Sequence, residues 1–408
     1  MMRSCIKTLK KMINDTNTDD IDIKINNLLS AEMIKNLGAF FTERALAEKA
    51  CRQFKQAITA KSVVLDPTCG IGNLLIESSR QLGVSSTLSE TLSIWGSVLR
   101  GWDIQADFIE VTKLRLIIAA LERGVRKDCS IEQALNYFKY IEQKDALTVV
   151  STDVYSVTHL FMNPPFIAIL APKRDYWGNG KTNSAAVFFD YYLRILPNEC
   201  NTVAILPDIL RSGSRFNHFR DFVSENLLGK VQIWGRFANT ADVDVFILSG
   251  IKQQVAGSVE WSSSLNWANC LATQYDVCIG PLVAYRDKQE GESYPYFHAK
   301  NCRNWETITA VSEMRAFSGK TIQPPCVLIK RTSSPSDKYR AAATLINLKQ
   351  PIAVENHLIV VTAKDKTLKS CQRLLKMLAK DEVNQFLNEQ IRARHLTVGV
   401  IKSIPLSF

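Results

Sequence analysis

The chain has 408 residues with 50 Lys and Arg against 40 Asp and Glu, a net charge of +10, and an apolar share of 46%. That composition fits a globular protein with room for two domains and excludes a disordered or fibrous chain. No apolar run approaches the ~18 residues of a membrane span, and the start Met1-Met-Arg-Ser-Cys-Ile-Lys7 lacks the apolar core of a signal peptide. Ten cysteines contain no Cys-x-x-Cys pair and the five histidines no metal-type spacing. Neither a zinc site, a disulfide framework nor metal catalysis is expected, and reduced thiols fit a cytoplasmic protein. The charge is uneven: residues 1–250 hold 29 basic and 27 acidic side chains, residues 251–408 hold 21 and 13. Basic surface supplies the sequence-independent part of nucleic-acid affinity.

In chain order, residues 1–34 read as a helical lead-in with a loose end, amphipathic near Ile21–Ile34. Thr42 to Phe54 holds good helix formers, with Thr42 as N-cap. From Ser62 to about Leu248 short apolar strands alternate with helical stretches, which implies a parallel sheet with helices on both faces. The expected strands are Val63–Asp66, Leu99–Trp102, Val157–Met162, Thr202–Leu206, Val231–Trp234 and Asp244–Ser249, with a helix over Ala185–Leu196. Gly83–Val98 reads as an insertion, Leu147–Val150 as strand-like, and the polar stretch Gln253–Leu265 as a boundary. Beyond it come short strands, turns and a late helix, about Thr367–Leu378.

Two segments carry chemistry. Val63-Val-Leu-Asp-Pro-Thr-Cys-Gly-Ile-Gly-Asn73 is a β-branched strand running into an acid and a Gly-x-Gly turn, where glycines allow positive φ and close backbone approach to a ligand. The run Val157–Met162 ends in Asn163-Pro164-Pro165-Phe166. A strand cannot continue through two prolines, so the chain turns at the carboxyl edge, where open α/β sheets bind ligands. An amide, a proline carbonyl and a ring suit a flat, amino-bearing group, held by its N–H bonds and stacked on its face.

With Leu37-Gly-Ala-Phe-Phe-Thr42 upstream and Val203-Ala-Ile-Leu-Pro207 downstream, these motifs resemble those of S-adenosylmethionine-dependent DNA adenine-N6 methyltransferases, in the subgroup whose cofactor motifs precede the target-recognition region. The resemblance covers roughly residues 35–250 well and 275–408 more loosely. It implies a Rossmann-like, doubly wound α/β methyltransferase sheet over 35–252 and a smaller mixed α+β DNA-recognition domain over 265–408. It further implies S-adenosylmethionine as cofactor, double-stranded DNA as partner, and a restriction-modification or phage-defence setting with a cognate endonuclease or defence subunit.

By the same resemblance Phe40, Thr42, Asp66, Thr68, Gly70, Gly72, Asp103, Asp145 and Asn163 form the cofactor site. Asp66 meets the ammonium of the cofactor, Asp103 its ribose hydroxyls and Asp145 its adenine. Asn163, Pro164, Pro165 and Phe166 form the catalytic motif, and Phe237 is a second aromatic wall for an extruded base. Phe188 and Phe189 fall on the helix after the motif, one of them expected in the core. Asn73 stands where some relatives carry an acid. Cys69 reads as a small loop residue, not a nucleophile. The glycine-containing, basic and aromatic stretch Pro172–Lys181 reads as a loop able to close on DNA or cofactor. In the C-terminal part Arg331 and Ser333, with Arg340 nearby, are candidates for phosphate contact, and Arg392, Arg394 and His395 either contact DNA or hold this small domain together. Two other readings stay open: the same chemistry on RNA or protein glutamine, and a non-catalytic DNA-specificity subunit.

Overall fold

The computed structural model describes residues 2–15, 42–238, 241–253, 257–261 and 267–408. Phe40 and the amphipathic stretch 21–34 lie outside the described residues. The chain divides into two compact units, 1–261 and 262–408.

The first unit is built on one sheet. Its strands are β1 (Val64–Asp66), β2 (Leu99–Asp103), β3 (Ile141–Gln143), β4 (His159–Met162), β7 (Asn201–Pro207), β8 (Leu227–Ala238), β9 (Ala241–Lys252) and β10 (Ser258–Glu260); a separate hairpin pairs β5 (Ala168–Leu170) with β6 (Lys181–Asn183). The order across the sheet is β10-β8-β9-β7-β4-β1-β2-β3. From β7 to β3 every pair is parallel. The chain steps outward from β1 to β2 and β3, then returns to β4 on the other side of β1, so the switch point falls between β1 and β4. Ligands bind at the carboxyl ends of strands at such a point.

Side chains alternate between two cores, as a strand's period of two requires. Val64, Phe161, Val203 and Ile205 face one core, and Leu65, Leu160, Met162, Ala204 and Leu206 the other. The helices Asn73–Ser79, Leu88–Val98 and Ala106–Leu121 supply the first, and Ser184–Ile195 and Asn217–Asn226 the second. This is the doubly wound sheet that the motif order implies.

Several expectations change. The sheet is not wholly parallel: β9 runs antiparallel to β7 and β8, because the two positions between β8 and β9 leave no room for a crossover. Within the stretch read as an insertion, Leu88–Val98 forms a helix of the layer, with Trp95 fully buried. A Cβ on Gly96 would lie 2.1 Å from the Tyr137 carbonyl oxygen, so glycine lets that helix approach backbone closely. Leu147–Val150 is not a strand; β3 precedes it. Residues Met2–Asp15 form a helix whose Leu9 and Ile13 are buried, with Lys10 paired to Glu110 at 2.6 Å. β10 extends the sheet beyond residue 252.

The second unit is mixed α+β. A five-stranded sheet, β11 (Tyr275–Ile279), β18 (Leu358–Ala363), β15 (Cys326–Lys330), β16 (Ala343–Ile346) and β13 (Thr307–Ile308), is antiparallel except at its last pair. A smaller sheet joins β14 (Met314–Ala316), β12 (Ser293–Phe297) and β17 (Ala353–Val354). Helices Leu368–Leu378, Asp381–Gln390 and Val398–Lys402 bury apolar residues in the core on one face of the larger sheet.

Arg340 is 0% exposed and donates to the carbonyls of Ser333, Ile391 and Ala393. It is a structural pin and is not a phosphate ligand. Burying a guanidinium is tolerable only when its donors are matched. Arg340→Met is expected to lower stability by about 3 kcal/mol, since three carbonyls lose a charged donor. Chemical denaturation checks this, and an unchanged midpoint would remove the pin.

Candidate functional site

Three strand ends converge at the switch point. β1 finishes on Asp66, β2 on Asp103, and β4 delivers Asn163; Asp66 stands in register with Gly101, and Asp103 with Gln143. Between Asp66 and the helix Asn73–Ser79 the loop coils back on itself. The Gly72 N–H donates to the Cys69 carbonyl at 2.7 Å, and the Cys69 N–H to the Trp102 carbonyl at 2.9 Å. Gly72 has φ +87°, and a Cβ there would meet Thr112 at 2.7 Å. The Thr112 hydroxyl in turn donates to the Gly70 carbonyl at 2.9 Å.

The loop is one wall of an open cleft of ≈ 940 Å³, mouth and adjoining open solvent included. Thr42, Asp66, Thr68, Gly70, Asp103, Asp145, Asn163, Pro164 and Pro165 all line it. Gly72 is not among the lining residues; it caps the following helix. Of the neighbouring rings, Phe188 lines the cleft, while Phe189 is fully buried in the core.

Electrostatics mark this as a place for a cation. Asp66 is 1% exposed, and its Oδ1 accepts from the Thr68 N–H at 3.1 Å. Burial first, and then the Asp103 carboxylate, push Asp66 up to about 8, against the lowering effect of Thr68. Asp103 accepts from the Gly70 and Gln105 N–H groups at 3.1 and 2.9 Å, and burial raises it too. Cys69 lies beside both acids; burial, then Asp66 and Asp103, hold its thiol well above the usual range. Two carboxyls whose ionisation is disfavoured by burial would ionise more readily beside a cationic guest. Asp103 oxygens also retain acceptor capacity for hydroxyls. The residues therefore fit the ammonium and ribose of S-adenosylmethionine.

Asn163 is oriented by a polar chain that runs under the loop. Its Nδ2 donates to Thr42 Oγ1 at 2.9 Å. The Thr42 carbonyl accepts from Asn73 Nδ2 at 2.7 Å, and Asn73 Oδ1 accepts from Arg115. Arg115 also donates to the Ile71 carbonyl at 2.6 Å. Thr42 is thus not an N-cap: Glu43 takes that position and offers no side-chain bond. Asn73 is spoken for on both sides of its amide, which an acid would not be, since a carboxylate cannot donate to Thr42.

Phe166 is half-buried, and Phe237 stacks edge-on against it at 5.7 Å. Phe237 is itself 1% exposed, so its ring backs Phe166 and does not face the solvent. The stretch Pro172–Lys181 is anchored, not loose. Asp190, fully buried, accepts from Tyr176 at 2.6 Å and Arg174 at 3.1 Å. In the second unit, Arg331 to Ser333 runs beside Arg394 to Leu396: the Ser333 N–H donates to the Arg394 carbonyl, and Leu396 to Arg331, each at 2.8 Å. The fold therefore brings Arg331 and Arg394 together, with Arg394 exposed. Ser333 is 7% exposed and faces inward.

Sequence reasoning missed Ile104, Phe108 and Lys144 in the cleft lining. Ile104 is 62% exposed, an apolar side chain left open directly after a strand-ending acid. That placement was the available signal for a flat, apolar part of a ligand.

The sign of the pH dependence follows from Asp66. Its folded value lies above the unfolded one, so Asp66's contribution to the stability of the ligand-free protein is full below about pH 4 and is lost as pH rises through about 8. A bound cation favours the ionised form. Affinity for S-adenosylmethionine is expected to rise from pH 6 to 8, with proton release on binding. Calorimetry in two buffers of different ionisation enthalpy checks this. Equal heats in both, or an unchanged pH profile in Asp66→Asn, would rule out the linkage.

Comparison with known proteins gives one family model and several solved structures. Residues 24–189 match the family model described as N-6 DNA methylase. No sequence among curated proteins matches the chain. Among solved structures, the type IIG restriction endonuclease BpuSI is 14% identical, with a TM-score of 0.45, covering 90% of this chain and 57% of its own. A modification subunit of a putative type I restriction enzyme from Vibrio vulnificus YJ016 is 15% identical, with a TM-score of 0.42, covering 63% of this chain and 50% of its own. The type IIL restriction-modification enzyme MmeI, solved with DNA, is 8% identical with a TM-score of 0.45, covering 97% and 66%. The chain thus spans little more than half the length of the first of these.

Proposed function

We propose that the first unit transfers a methyl group from S-adenosylmethionine to the N6 amine of an adenine in double-stranded DNA. The observation that carries this is the amide of Asn163, held by Thr42 in a cleft that Asp66 and Asp103 also line. S-adenosylmethionine, when bound, supplies a methyl group activated by a positively charged sulfur. Asp66 and Asp103 hold its ammonium and ribose, Asp145 its adenine amine, and Ile104 and Phe188 offer apolar contact.

The exocyclic N6 of adenine is a weak nucleophile because its lone pair is delocalised into the ring. With the Asn163 nitrogen turned to Thr42, its carbonyl oxygen faces the opposite way. That oxygen and the Pro164 carbonyl accept the two N6–H bonds, which draws the nitrogen toward tetrahedral geometry and localises the pair. Alignment and stabilisation of the positive charge growing on N6 supply most of the rate. The target atom is inaccessible in a duplex, so the base is extruded at a cost of a few kcal/mol. Phe166, backed by Phe237, is its stacking face. On this reading the unit is a methylating component of a restriction-modification or phage-defence system. Among the described residues no helix is long and apolar enough to cross a membrane.

Long-read sequencing of DNA from a methylation-free host expressing the chain tests the reading. N6-methyladenine at one recurring motif, absent with Asn163→Ala, is the expected result; modification that survives in the variant would rule out the mechanism. Asp103→Ala is expected to weaken cofactor binding instead. Thr42→Val keeps size but loses the hydroxyl that orients the amide. It is expected to lower turnover about tenfold, the worth of one hydrogen bond, with cofactor affinity less affected. Thr42→Ser should restore the rate, and equal losses in Ser and Val variants would argue against orientation by the hydroxyl.

A further inference from the structure

The second unit carries a row of cations that neither the family motifs nor the basic segment near Arg331 points to. The helix Leu368–Leu378 starts from a Thr367 cap and buries Cys371, Leu374, Met377 and Leu378 against the larger sheet. Its other face carries Lys369, Arg373 and Lys376, with Lys380 just beyond, all exposed. These fall at intervals of four, three and four residues, which puts them in one line along the helix. Residues 364–380 hold six basic side chains and one acid. That acid, Asp365, is committed to Thr367 and Ser370. Lys369, Arg373, Lys376 and Lys380 make no ion pair among the described residues. The next acids along the chain, Asp381 and Glu382, open the following helix, and Asp276 is exposed on β11.

Such a row works against the helix that bears it. Like charges three and four apart destabilise a helix by roughly 0.2–0.5 kcal/mol per pair, and Lys369 in the first turn also opposes the helix dipole. A glutamate at any of these exposed positions would relieve the strain. Packing does not require the cations either, since the buried face is apolar. The cations also border a cleft with Tyr275, Leu406 and Phe408, so the charged line has relief and is not a flat solvated face.

We propose that Lys369, Arg373, Lys376 and Lys380 form a track for the phosphate backbone of double-stranded DNA. The occupant is chosen by charge: a linear array of cations without counter-charges matches a linear array of phosphates. The assignment rests on the functional reading above. Phosphate contacts fix register without reading bases, so the track holds the duplex while other groups select the sequence.

The test is duplex binding by the full chain, followed by fluorescence anisotropy over a range of salt concentrations with a labelled duplex of mixed sequence. In the triple variant Lys369→Gln, Arg373→Gln, Lys376→Gln, the slope of log affinity against log salt should fall by about 2 to 3, and affinity at physiological salt on the order of 100-fold, from three lost phosphate contacts. The thermal midpoint should hold or rise, because repulsion is relieved, and S-adenosylmethionine affinity should not change. Lys369→Arg with Lys376→Arg should bind as the parent does. An unchanged salt slope in a triple variant whose parent methylates DNA overturns the track alone. A lower thermal midpoint together with weaker binding would show the cations to be structural. Wild-type protein that prefers single-stranded RNA to the duplex, or leaves all DNA unmethylated, overturns the functional reading and the track with it.

Discussion

A carboxyl group at the end of the central strand, buried to 1% exposure, is the constraint around which the first unit is arranged. Placing Asp66 there is unfavourable for an ion, and the surrounding fold is what tolerates it. β1 must be fully covered on both faces to bring the acid to the switch point. The loop after it must turn within a few residues, which is why Gly70 and Gly72 take positive φ and why Gly101 has no side chain to collide with Leu75. The second carboxyl, Asp103, both supports that loop through the Gly70 N–H and adds to the negative field. The site is therefore preorganised for a positively charged small molecule before any guest arrives.

The sheet was largely legible in the sequence because its strands are short apolar runs ended by distinctive residues: Asp66, Asp103 and Asn163 each mark a carboxyl end. What the sequence hid was set by partners distant along the chain. Nothing near Thr42 announces that its hydroxyl will accept from Asn163 and not cap a helix. The direction of β9 depends on the shortness of a connection, and a strand pattern alone does not carry direction. β3 was missed because three residues, two of them polar and exposed, show no apolar run.

The C-terminal part was harder for a physical reason. Basic residues clustered in sequence, as around Arg331, attract attention, yet Arg340 turns inward to satisfy carbonyls and Ser333 is covered. The cations that share one exposed line are spread through an amphipathic helix, visible only when helical spacing is applied to charge as well as to apolar residues. Net charge locates the excess in this unit, and geometry decides which of its members reach solvent.

The thiol of Cys69 has a consequence of its own. It borders the cleft, yet burial and two adjacent carboxyls keep it protonated, and the thiolate is the form that reacts with peroxide and electrophiles. A thiol held in that form beside the cleft is expected to react slowly with peroxide and with cysteine-directed electrophiles, so a ligand for this cleft would gain its hold from charge and shape.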